Sequence, residues 1–84
     1  MTRQEKLLER ILRGTADRNI EFQDLCWILR RLKFDERIRG SHHIFTRADV
    51  EEILNLQPIG ALAKPYQVKQ VRDVIIKYKL GDNL

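Results

Sequence analysis

The feature that most constrains this chain is a change of hydrophobic period near residue 33. Phe22, Leu25, Cys26, Leu29 and Leu32 recur at the three- and four-residue steps of a single helix face, with Trp27 and Ile28 widening it. From Phe34 the step becomes two. Phe34, Glu36 and Ile38 alternate with Asp35, Arg37 and Arg39, the pattern of a half-buried strand whose outer face is cationic. Gly40-Ser41 is turn chemistry, and His42 to Thr46 reads as the returning strand of a hairpin. After a turn at Arg47-Ala48-Asp49, a third strand is expected from about Glu52 to Gln57. Leu54 and Leu56 face inward there, and Ile53, Asn55 and Gln57 face the other way. Residues 58–64 read as a loop.

The flanks are helical. Thr2 and Glu5 have capping-box spacing, Leu7, Leu8, Ile11 and Leu12 share one stripe, and Gly14 is a C-terminal stop. Pro65 suits the first turn of a last helix. Val68, Val71, Ile75 and Tyr78 trace its face, Val74 and Ile76 flank it, Lys77 and Lys79 complement its dipole, and Gly81 stops it. The predicted order is α-α-β-β-β-α: an α+β fold with a three-stranded antiparallel sheet, helices on one face and the other face open. With 84 residues the chain holds one core, so residues 1–84 read as a single domain.

Composition narrows the function. No apolar run, Val74-Ile75-Ile76 included, approaches the roughly 20 residues needed to cross a bilayer, and the N-terminus does not resemble a signal peptide. The single Cys26 excludes an intramolecular disulfide and sits in a core stripe, so a cytoplasmic protein is expected. The net charge of +4 is unevenly spread. Residues 30–47 and 64–79 each carry a net +4, whereas 48–63 hold Asp49, Glu51 and Glu52 with no basic partner. That polarity suits a polyanion, although solvated faces would show it too.

Gly40-Ser41-His42-His43 is the candidate site. Histidine titrates near neutral pH and suits proton transfer. RNA carries its own nucleophile, the 2′-hydroxyl, and needs only a base and cations to be cut. Arg37, Arg39 and Arg47 lie within a few residues, and the N–H groups of the turn suit a phosphate oxygen. If Phe45 anchors the strand in the core, His43 is on the core side and His42 on the open face with Ile44 and Thr46. If Ile44 is the inward residue, the assignment reverses. Two histidines beside a turn are also commonly plain polar residues. No metal is expected, because no second cluster of His, Cys or paired carboxylates supplies further ligands along the chain.

The stretch from Phe34 to Phe45, ending in Gly40-Ser41-His42-His43-Ile44-Phe45, resembles the signature of HicA toxins. Lys64-Pro65-Tyr66-Gln67-Val68 also fits, opening a helix after the hairpin. The resemblance covers roughly residues 20–80, with 1–19 as an N-terminal extension. It implies a fold like a double-stranded-RNA-binding domain, cleavage of messenger RNA and neutralisation by a HicB-type antitoxin. It maps the family's histidine onto His42, or onto His43 in members that carry it one place later. The chain lacks the Pro-x-His-Pro segment many members have after the third strand, carrying Leu56-Gln57-Pro58-Ile59 there. Thr46-Arg47-Ala48-Asp49 likewise replaces a basic or His-Pro pair.

The leading expectation is therefore a metal-independent endoribonuclease without cofactor. His42 would transfer the proton and His43 would be its neighbour or substitute, with Gly40 and Ser41 shaping the turn. Arg37, Arg39 and Arg47 would meet phosphates, assisted by Lys64 and Lys69. The alternatives are a non-catalytic RNA-binding module and a protein-interaction adaptor.

Overall fold

In the computed structural model, which describes residues 1–83, the change of period falls where the sequence places it. Helix α1 spans Arg3–Arg13 and α2 Phe22–Arg31, followed by strands β1 (Asp35–Arg39), β2 (His42–Arg47) and β3 (Val50–Leu56). A short pair, β4 (Pro58–Ile59) and β5 (Leu62–Ala63), precedes α3 (Pro65–Lys77). Single 3-10 turns lie at Asp17–Asn19 and Leu80–Asn83. The three long strands form an antiparallel sheet in the order β1-β2-β3, and the α-α-β-β-β-α layout holds. Among the described residues no helix is long and apolar enough to cross a membrane.

The register decides which side chains share a face. Glu36 opposes Phe45, Ile38 opposes His43, Arg37 opposes Ile44 and Arg39 opposes His42. Directly opposed residues point the same way. Phe45, Leu54 and Leu56 are buried against the helices with Val50. Ile53, on the other face, is 67% exposed. The helices supply Phe22, Leu25, Cys26, Ile28 and Leu29 from α2 and Val68, Val71, Val74 and Ile75 from α3.

Helix α1 belongs to that core. Leu7, Leu8 and Ile11 are buried, and Arg72 of α3 donates to the Ile11 carbonyl at 3.2 Å while pairing with Asp17 at 2.9 Å. Of the capping box only half forms as expected. The Thr2 hydroxyl accepts from the Glu5 N–H at 3.1 Å, but it donates to the Glu5 carboxylate instead of leaving that group a backbone partner.

Three expectations are corrected. Residues 58–64 are a hairpin and not an open loop, because α2's approach completes it: Phe22 donates to the Ala61 carbonyl and Ala63 to the Ile20 carbonyl, both at 2.9 Å. Gly81 does not end the last helix. Lys79 takes the left-handed conformation with φ 55°, and the chain then turns to bury Leu80. Ile76, expected beside the core stripe, is exposed while Val74 is buried.

Helix α2 ends in the same way. Lys33 has φ 71°, its N–H reaches the Arg30 carbonyl at 3.0 Å, and the Phe34 N–H reaches Leu29 at 3.1 Å, a Schellman closure without glycine. A left-handed conformation strains any residue with a Cβ. Lys33→Gly is therefore expected to raise stability by about 1 kcal/mol, read as an upward shift of the denaturation midpoint.

Among the described residues one polar side chain is buried in the frame. Gln67, 5% exposed, accepts from the Gln57 N–H at 3.0 Å and donates to the Asn55 carbonyl at 3.1 Å, tying α3 to the end of β3. Replacing it by Leu strands both backbone groups, at about 1–3 kcal/mol each, and urea unfolding should show the loss.

Candidate functional site

The hairpin at Gly40-Ser41 is tight because Arg39 and His42 pair directly across it. Gly40 alone of the two turn residues has positive φ, 58°, the pattern of a type II′ turn with Gly at its first central position. From this turn the two histidines diverge to opposite faces of β2. With Phe45 fully buried, alternation puts His43 on the helical side and His42 on the open side with Ile44 and Thr46.

His42 is exposed, and its Nδ1 lies 3.1 Å from Oδ1 of Asn55. An amide oxygen only accepts, so Nδ1 is the donor in this pair and, in the neutral ring, Nε2 is the nitrogen without a proton. Asn55 opposes Ile44 on β3, one step diagonal to His42, which is how it reaches the ring. Arg37 and Arg39 project from β1 on the same face, both exposed, and neither joins a salt bridge among the described residues. The acidic residues of this face, Asp35 and Glu51, lie toward the opposite end of the strands. A hollow of about 550 Å³ lies among Arg37, Arg39, Ile44, Thr46 and Ile53, with Asp35 and Glu36 also on its wall.

The turn is braced from α3's side. The Gln57 side-chain amide donates to the Ser41 hydroxyl at 2.8 Å, and Lys64 donates to that amide's Oε1 at 3.4 Å. Lys64 therefore adds its charge near the histidine end. Two expected contacts are not gathered there. The ladder is irregular between Phe45 and Arg47, and the Arg47 guanidinium turns to the Leu32 carbonyl (2.8 Å) and Asp49 (2.7 Å), satisfying the end of α2. Lys69 sits on α3, on the helical side of the sheet, and pairs with Asp73 at 2.8 Å.

His43 has a different setting. Its Nδ1 is 2.8 Å from Glu36, whose carboxylate also receives Arg30 through Nε at 2.8 Å and Nη2 at 2.9 Å. The Phe22 ring meets the imidazole edge-on at 4.9 Å. Arg30, and secondarily His43, hold the Glu36 carboxyl below the usual range against the opposing effect of burial. Cys26 lies beside them, and burial, with the charge of Glu36 adding to it, pushes its thiol up to about 11. The sulfur, a Glu36 oxygen and a His43 nitrogen all lie within 4.8 Å of one another. A cleft of about 740 Å³ runs past Cys26, His43, Arg30 and Trp27. Neither Asn55 nor this cluster was singled out from sequence: Asn55 reads only as an outward residue of its strand, and Cys26, Glu36 and His43 come from three different elements. No family model, curated protein or solved structure matches the chain.

Proposed function

We propose that the protein binds RNA on the open face of its sheet and cleaves it there as a HicA-like endoribonuclease, with His42 as the general base. The observation that carries this reading is the His42–Asn55 contact at 3.1 Å on the face where Arg37 and Arg39 join no salt bridge among the described residues. Nε2 takes the 2′-hydroxyl proton, the 2′-oxygen attacks the adjacent phosphorus, and the 5′-oxygen leaves and takes a proton from solvent, giving a 2′,3′-cyclic phosphate and a free 5′-hydroxyl. Arg37 and Arg39 face the charge that develops on the phosphoryl oxygens. Lys64 and the N–H groups of the Gly40-Ser41 turn extend the same anionic track. A domain of 84 residues has little depth for a substrate pocket, so contact with the RNA is broad and weakly selective for sequence.

The same basic face is the one a HicB-type antitoxin would have to cover, with acidic side chains against Arg37 and Arg39. A cytoplasmic setting, where messenger RNA is found, accords with both roles.

The test is cleavage of a labelled messenger RNA by the folded protein in the presence of EDTA, beside His42→Ala. Cleavage by the wild type alone supports the reading. A folded wild type that shifts RNA without cutting it replaces the nuclease by a binding module, and one that does neither leaves the adaptor. Charge is tested separately. Removing both Arg37 and Arg39 is expected to flatten the dependence of log affinity on log salt by about 1.4–1.8, measured by fluorescence anisotropy.

A further inference from the structure

We infer that Cys26, Glu36 and His43 form a site for a divalent transition-metal ion, Zn²⁺ above all, on the helical side of β2. A thiol sulfur, a carboxylate oxygen and an imidazole nitrogen, brought from α2, β1 and β2, lie within 4.8 Å of one another. Zinc is held by these three donor types, and three protein ligands with one position left for water is the arrangement of an open zinc site.

The surroundings suit the ion. Cys26 is 2% exposed on a core helix, Phe22 packs edge-on against the His43 ring at 4.9 Å, and Arg30 fixes the Glu36 carboxylate through two bonds. Arg30 takes one lone pair on each carboxylate oxygen, and the ion takes the place of the hydrogen now shared between Glu36 Oε2 and His43 Nδ1 at 2.8 Å. On binding, the thiol proton goes to solvent and the neutral imidazole turns to its other tautomer. Thiolate and carboxylate then balance the dication. The cleft past Cys26 and His43 provides the entry path and the fourth, water ligand. The site lies across the strand from His42 and does not rest on the RNA reading.

The test is titration of the reduced, full-length protein with Co²⁺, followed by displacement with Zn²⁺. Since the chain has one cysteine, a sulfur-to-cobalt charge-transfer band in the wild type reports Cys26 alone. The expected result is that band saturating at one equivalent, its loss on adding Zn²⁺, and a higher melting temperature with Zn²⁺ than with EDTA. Cys26→Ser should abolish the band and His43→Gln should weaken binding at least tenfold, while His42→Ala leaves both unchanged. A folded wild type without the band, or uptake of the ion that survives Cys26→Ser and His43→Gln together, overturns the assignment.

Discussion

A chain shortened to begin at Asn19 is expected not to fold. The resemblance to HicA toxins begins at about residue 20 and casts everything before it as an extension, yet Leu7, Leu8 and Ile11 are buried. Each buried aliphatic side chain contributes about 1.5–3 kcal/mol, so three together match much of the roughly 5–15 kcal/mol that holds a small domain folded. The loss does not stop there. Without Asp17 the Arg72 guanidinium, whose side chain is 15% exposed, loses its carboxylate. Far-UV circular dichroism of the shortened chain should show little ordered structure. The point substitution Ile11→Ala should fold and lose about 2–5 kcal/mol in urea unfolding. A shortened chain with native melting behaviour would make α1 an accessory, and the core would have to be drawn again.

The second large effect is on chemistry. His42→Ala is expected to lower the cleavage rate by about 10²–10⁴-fold, the range contributed by a positioned general base. RNA affinity should change little, because Arg37, Arg39 and Lys64 supply the charge. His42 is exposed and its side-chain hydrogen bond among the described residues is with Asn55, so the variant should keep its fold. Asn55→Ala should give a smaller loss, since the imidazole remains and only its orientation is released. Cleavage that instead disappears in His43→Ala, with the fold intact, would move the active centre to the cleft beside Cys26.

Most of the frame was legible because hydrophobic period is a local property. Phe22 to Leu32 and Phe34 to Ile38 declare helix and strand within a few residues of each other. Phe45, as the largest apolar residue of its strand, also indicated which histidine faces outward. The misses share a physical cause, which is dependence on partners distant in sequence. The β4–β5 hairpin is completed by the backbone of Ile20 and Phe22, some 40 residues earlier. Arg47 reads as a free cation until the irregular ladder turns it onto Leu32. Lys69 counts equally with Lys64 in a charge tally, but the helical turn carries it to the wrong side. Gly81 was the natural terminator by composition, yet Lys79 accepts the strain because burying Leu80 follows from it. Asn55 acquires a role only through the pairing of β2 with β3, and Cys26, Glu36 and His43 meet only when three elements are assembled.

The Arg72 side chain joins Asp17 and the Ile11 carbonyl across separations of 55 and 61 residues. On the ribosome this imposes a delay. The first helix emerges long before the last, and at about 5–20 residues per second some 60 residues take about 3–12 s to be made. Through that interval Leu7, Leu8 and Ile11 have no wall from α3 to pack against. The protein therefore completes its fold only as its last helix clears the exit tunnel, and a nascent chain stalled before Arg72 displays an apolar stripe to whatever chaperone waits there.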